Sequence, residues 1–130
     1  MSNKYQFDVG AQSLVKAEGS AVTSTDVNSV AYKLESCPTF AVVINVTAVD
    51  RANADETYVF SVQSLDAAGA NAVEQGALIS ITSAGQYVIA VDGSTAKKLA
   101  GSSDQKIQLT ATLGGTSPSL TYSAHLQRAH

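Results

Sequence analysis

The sequence predicts an all-β fold, a sandwich of about eight antiparallel strands in a single domain. Several segments alternate apolar and polar residues with a period of two, which is the pattern of strands that have one buried face. Clusters of Gly, Asp, Asn and Ser separate these segments, and stretches with a helical pattern are few. The chain has 130 residues, which is enough for one core and too few for two domains.

The first 25 residues differ from the rest of the chain, because their apolar residues are isolated and keep no sustained phase. Residues 1–25 are therefore expected to form either an edge strand with a loop or an arm that orders only against a partner. Tyr5, Phe7 and Val9 would be the apolar anchors of such an arm, so they are the candidate partner-contact residues. Residues 26–130 are predicted to form the sandwich.

The first half of the sandwich contributes three predicted strands. Residues 27–34 are the weakest candidate, and residues 40–48 are apolar on both faces, which is typical of a central strand that is covered on both sides. The third strand lies within residues 56–65. The residues predicted to face the core in these strands are Val30, Tyr32, Leu34, Phe40, Val42, Ile44, Val46, Ala48, Tyr58, Phe60 and Val62.

Two connections in this half contain polar residues or glycine. Residues 50–56, DRANADE, collect carboxylates and an amide, but their spacing does not fit an EF-hand loop, so a solvated hairpin loop is predicted rather than a calcium site. Residues 67–77, AAGANAVEQGA, are expected to form a loop.

The second half contains two predicted strand pairs. Residues 78–83 and 86–91 are joined through a tight turn at Ala84-Gly85, and residues 106–113 and 120–126 form a predicted hairpin around Gly114-Gly115. The residues predicted to face the core are Ile79, Ile81, Tyr87, Ile89, Val91, Ile107, Leu109, Ala111, Leu113, Leu120, Tyr122, Ala124 and Leu126.

Charge and composition argue against several kinds of partner. The net charge is −3, and the eight Lys and Arg residues are scattered, whereas a nucleic-acid groove needs a clustered basic face. The most apolar window is ten residues long and contains Asn45 and Thr47, so it is too short and too polar to span a membrane. The single Cys37 excludes a disulfide framework within the chain. We therefore expect neither a nucleic-acid nor a membrane partner.

The residues also give no candidate for catalysis. His125 and His130 are the only histidines, and His125 lies on the polar face of its strand, where an exposed imidazole is expected. Two histidines cannot supply a three-His metal site, and a hydrolytic triad needs a base next to a nucleophile and a carboxylate. The sequence therefore predicts a non-enzymatic protein without a cofactor or a metal.

Four segments within residues 20–127 share a pattern of strands and turns, namely SAVTSTDVNSVAYKL, SVQSLDAAG, LISITSAGQYVIAVDGSTAKKL and IQLTATLGGTSPSLTYSAHL. This pattern resembles that of the small capsid cement, or decoration, proteins of tailed bacteriophages. The chain departs from the usual pattern at Asn28 and Ser29, where an acidic or apolar pair is more usual, and in the acidic loop 50–56.

The resemblance implies a single jelly roll that is made in the bacterial host cytoplasm and sits on the virion capsid surface. Its implied partners are the major capsid protein and further copies of itself, as a homotrimer at local three-fold positions. The alternative is a carbohydrate- or receptor-binding sandwich of a phage tail or fibre. Sugar recognition usually relies on exposed aromatic rings, whereas Tyr58, Phe60, Tyr87 and Tyr122 fall on inward phases.

Overall fold

The computed structural model describes residues 12–33, 39–66, 73–92 and 104–128. These residues form eight strands in two four-stranded antiparallel sheets, so the predicted all-β sandwich is confirmed. The strands are β1 (Gln12–Lys16), β2 (Asp26–Lys33), β3 (Thr39–Val49), β4 (Thr57–Asp66), β5 (Val73–Ile81), β6 (Gly85–Asp92), β7 (Asp104–Gly114) and β8 (Leu120–Arg128).

Strand order identifies the sandwich as a jelly roll. Sheet A has the order β1-β8-β3-β6, and sheet B has the order β2-β7-β4-β5. Strand β1 pairs with β8, β2 with β7, β3 with β6, and β4 with β5, as in one long hairpin whose arms wind together around the core. Successive strands therefore alternate between the two sheets, except that β4 and β5 are neighbours in sheet B.

This winding corrects three predicted connections. Strands β7 and β8 are not a hairpin, because β7 belongs to sheet B and β8 to sheet A. The same holds for β5 and β6, and for β3 and β4, whose connection at residues 50–56 was expected to be a hairpin loop. The alternating pattern marks which face of a strand is buried, but both sheets bury such faces against the same core, so it does not identify the pairing partner.

The structure also corrects one predicted loop and one residue predicted to face the core. Strand β5 begins at Val73, so residues 73–77 are in a strand rather than a loop. Residues 67–72 lie outside the described part, as do residues 34–38, 93–103 and 129–130. Ala48 is exposed, because a register shift between Val46 and Ala48 reverses the alternation and turns Val49 toward the core instead.

The core lies between the sheets and is built largely from the predicted inward residues. Tyr58, Phe60 and Val62 of sheet B and Leu120, Tyr122 and Leu126 of sheet A are all at most 1% exposed. The rings of Phe60 and Tyr122 meet edge to face across the core, with centroids 5.2 Å apart. Strand β3 is an inner strand as predicted, and even its outward-facing Val43 is buried to 9% exposure.

Candidate functional site

The structure does not test the candidate contact residues of the N-terminal segment. Tyr5, Phe7 and Val9 lie outside the described residues, and the description of the chain begins at Gln12, where β1 forms an edge strand against β8. His125 stands on the outer face of β8 and is half-buried rather than fully exposed. It pairs with Val43 on β3 and with Leu14 on β1.

Polar side chains join the two sheets where β1 and β2 run side by side. The Tyr122 hydroxyl of sheet A donates to Asp26 Oδ2 of sheet B at 2.7 Å, and Asn28 Nδ2 donates to the same oxygen at 2.9 Å. Lys16 Nζ lies 3.6 Å from Asp26 Oδ2 and 5.2 Å from the centroid of the Tyr122 ring. This edge cluster of Lys16, Asp26, Asn28 and Tyr122 ties β1 to both sheets.

Proton affinities in the edge cluster follow from these contacts. Burial acts to raise the pKa of Asp26, but the hydrogen bonds from Tyr122 and Asn28 and the charge of Lys16 outweigh it and hold that pKa below its usual value. Burial, together with the adjacent Asp26 carboxylate, raises the pKa of Tyr122 far above its usual value. Tyr122 therefore acts as a neutral hydrogen-bond donor in this cluster.

A second polar cluster closes one end of the sandwich, where residues 50–56 meet the turn between β7 and β8. Asp55 accepts hydrogen bonds from the backbone N–H and the hydroxyl of Thr116, at 3.1 and 2.7 Å, and the hydroxyl bond followed by the backbone bond lowers the pKa of Asp55. Tyr58 donates to the Asp50 carbonyl oxygen at 2.5 Å and accepts from the Ser119 N–H at 3.0 Å. The acidic connection is thus fixed to the opposite turn.

Glu56 departs from the solvated loop that the sequence predicts, because its side chain is 0% exposed. Its Oε2 accepts hydrogen bonds from the backbone N–H and the side-chain amide of Asn53, both at 3.1 Å. Among the described residues, Oε1 has no hydrogen-bond partner. Within the described ranges, no group of three or more His, Cys, Asp or Glu side chains could hold a metal ion.

Each of the two sheets also has an outward face, on the side away from the core. We call the outward side chains of β3, β6 and β8 the sheet A face, and none of its described members is charged. They are Ala41, Val43, Asn45, Thr47, Gln86, Val88, Ala90, Thr121, Ser123, His125 and Gln127. Val88 is 51% exposed and lies directly beside the buried Val43.

The sheet B face consists of the outward side chains of β2, β7, β4 and β5. Its described members are Val27, Ser29, Thr57, Val59, Ser61, Gln63, Leu65, Glu74, Leu78, Ser80, Lys106, Gln108, Thr110 and Thr112. Two of the three large apolar side chains that are more than half exposed in the described part of the chain lie here, namely Val27 at 53% and Leu78 at 63%.

Gln63 organises the centre of the sheet B face and is only 9% exposed. Its Nε2 donates to Ser61 Oγ and to Glu74 Oε1, both at 2.8 Å. Its Oε1 accepts from Thr110 Oγ1 at 3.1 Å and from Gln108 Nε2 at 3.4 Å. The two amide hydrogens and both lone pairs of the carbonyl oxygen are therefore in use.

The sequence contained a signal for part of this surface. Alternation places Gln63 and Leu78 opposite the inward Val62 and Ile79, and Val27 out of phase with Val30. The alternation does not show which strands lie side by side, so the partners of Gln63 on β5 and β7 could not be predicted from it.

The chain matches no protein-family model and no curated protein. No helix in the described ranges is long and apolar enough to cross a membrane.

Proposed function

We propose that this chain is a virion structural protein, a capsid decoration protein that binds and stabilises the assembled major capsid shell of a tailed bacteriophage. The proposal starts from the resemblance over residues 20–127. The jelly-roll order of the two sheets supports it, because this is the fold that the resemblance implies. The proposed protein is not an enzyme, needs no cofactor and acts on the outer surface of the virion.

The observation that carries the proposal is the sheet A face. Its described side chains are small or uncharged, and the row Val88, Val43 and His125 runs across three adjacent strands at its centre. A weakly charged surface loses little hydration energy when it is covered, since few charges have to leave water. We infer that this face docks on the shell.

Shell stabilisation then follows from mass action. A ligand that binds the assembled lattice and not the free subunits shifts the equilibrium toward the lattice. Many copies that each bridge neighbouring subunits would add avidity to a weak single contact. Binding as a homotrimer belongs to the proposal as well, and it rests on the resemblance together with the need to cover the sheet edges.

The test mixes the purified protein with expanded empty capsids from the same phage. We expect the protein to co-sediment with the capsids and to raise their melting temperature. The variant Val88→Lys should lose at least about ten-fold in capsid affinity, because it places an ammonium group in the middle of the docking face. The variant Val27→Lys is the matched control, since Val27 is exposed to nearly the same extent but lies on the other sheet.

An absence of co-sedimentation at saturating protein concentration would refute the proposal. Equal binding by Val88→Lys and wild type would place the docking surface elsewhere. A glycan array run on the same protein examines the alternative, and the decoration proposal expects no bound glycan. Specific glycan binding without capsid binding would favour a carbohydrate-binding module.

A further inference from the structure

One row of side chains crosses the sheet B face from edge to edge. Val27 on β2 pairs with Thr110 on β7, which pairs with Ser61 on β4. On β5 the register shifts between Phe60 and Val62, so that residues 76–78 lie opposite Ser61, and Leu78, which is next to the pair of Phe60 with Ile79, is the exposed large apolar residue among them. The row therefore has an exposed apolar side chain at each end and two hydroxyls between them, with about 14 Å from one end to the other at the usual strand spacing.

We propose that the sheet B face is a self-association surface, on which two copies of the chain pack about a two-fold axis parallel to the strands. Such an axis places β2 opposite the partner's β5 and β7 opposite the partner's β4. Each row then faces the same row of the partner, because the axis does not change positions along the strand direction. Val27 then meets Leu78 of the partner subunit at both ends of the row. In the middle, Thr110 faces Ser61 of the partner subunit.

The charged side chains described on this face, Glu74 and Lys106, are compatible with the same arrangement. Glu74 lies in the row of Gln63, Gln108 and Ser29, so the two-fold axis places it opposite a serine. Lys106 lies in the row of Leu65, so it comes opposite a leucine. Neither of these two charges meets a like charge, and Glu74 lies on the edge strand β5, where water can still reach it.

The hydrogen bonds of Gln63 make the centre of the face suitable for burial. A polar group that loses water without a replacement partner destabilises an interface. All four hydrogen-bonding positions of Gln63 are satisfied within the chain, so covering this side chain leaves none of them unpaired. A buried polar network is tolerated when its members are satisfied in this way.

The size of the face places the contact among small interfaces. Four strands at ~4.8 Å spacing and ~9 residues in length give a face of about 500 Å² per copy, or about 1,000 Å² for the pair. This is the lower limit for a specific interface, so we expect a weak dimer that forms only at high protein concentration. The contact does not depend on the proposed capsid role.

Sedimentation velocity on the purified chain between about 5 and 500 µM tests the contact in this range. We expect the weight-average mass to double with concentration. If the free chain is already a trimer, the same two-fold contact joins two trimers and again doubles the mass. Val27→Lys and Leu78→Glu should each weaken the association at least about ten-fold, while Val88→Lys should leave it unchanged.

Mixing the two single variants tests the two-fold pairing itself. In a mixed pair, Lys at position 27 of one copy meets Glu at position 78 of the other, and the second contact keeps the natural valine and leucine. Association should therefore return when Val27→Lys and Leu78→Glu are mixed. No doubling for wild type, or association unaffected by either variant, would overturn the proposal. Failure of the mixture to associate would overturn the two-fold arrangement.

Discussion

Gly115 illustrates how a single residue can determine a connection of this fold. Its φ of +90° lies in the region that disfavours residues with a side chain, and a Cβ atom there would overlap the carbonyl oxygen of Asp55. The turn between β7 and β8 thus passes directly against the connection 50–56. The sequence pointed to Gly114-Gly115 as a turn, but it did not show that the second glycine is needed for a contact between two loops.

We therefore expect Gly115→Ala to lower the free energy of unfolding by at least about 2 kcal/mol, because it adds both backbone strain and overlap. Urea denaturation followed by circular dichroism would measure the change. Gly19→Ala is the matched control, since nothing lies within 4 Å of its added methyl group. A loss of less than about 0.5 kcal/mol at Gly115 would show that the two loops can separate at little cost.

Protonation of Asp26 should make the edge cluster sensitive to acid. The folded-state pKa of Asp26 is lower than its usual value of 3.8. The ionised carboxylate therefore contributes fully to the stability of the fold above the usual value, and this contribution is lost as the pH falls through the folded-state pKa. Asp26→Asn should lower the free energy of unfolding by about 1 kcal/mol at neutral pH.

The difference between wild type and Asp26→Asn should shrink below about pH 4, which urea denaturation at a series of pH values would measure. Lys16→Met removes the ion pair and keeps the bonds from Tyr122 and Asn28, so it should have the smaller effect. A difference that stays constant from neutral pH to pH 2 would contradict this account of Asp26.

At the level of strands, alternation predicted which side chains are buried more reliably than it predicted pairing. The buried residues Ile107 and Leu109 on β7 and Leu120 and Leu126 on β8 were all placed inward correctly. The prediction that β7 pairs with β8 was wrong, because a short connection is equally compatible with a hairpin and with a crossing between two sheets. The pairing of β1 with β8 joins the two ends of the described chain, and no local pattern contains that information.

The candidate surfaces were predictable only in part for the same reason. The outward phase of Val27 and Leu78 can be read from the alternation, but their common row requires the register of four strands. The burial of Glu56 was missed because a carboxylate in a polar loop is normally solvated. Its burial depends on the connection between β3 and β4 passing over the end of the core.

For the whole molecule, the winding of the strands has a kinetic consequence. Gln12 pairs with Gln127, and Asp26 pairs with Ala111. Residues far apart in the sequence must therefore come together before either sheet is complete. Folds dominated by such distant pairings fold in milliseconds to seconds. We expect refolding from urea on this timescale, followed by tyrosine fluorescence, since the chain has five Tyr and no Trp. Completion within microseconds would contradict the described topology.

The ion pair between Lys16 and Asp26 bears on how the chain could be engineered. These two residues flank the segment 17–25, and their side chains hold its ends together while most of the segment is exposed. A peptide inserted after Gly19 would lengthen a loop that is already closed, and each doubling of loop length costs only about 0.6 kcal/mol. The chain could thus serve as a display scaffold, with a cargo epitope projecting from the exposed segment 17–25.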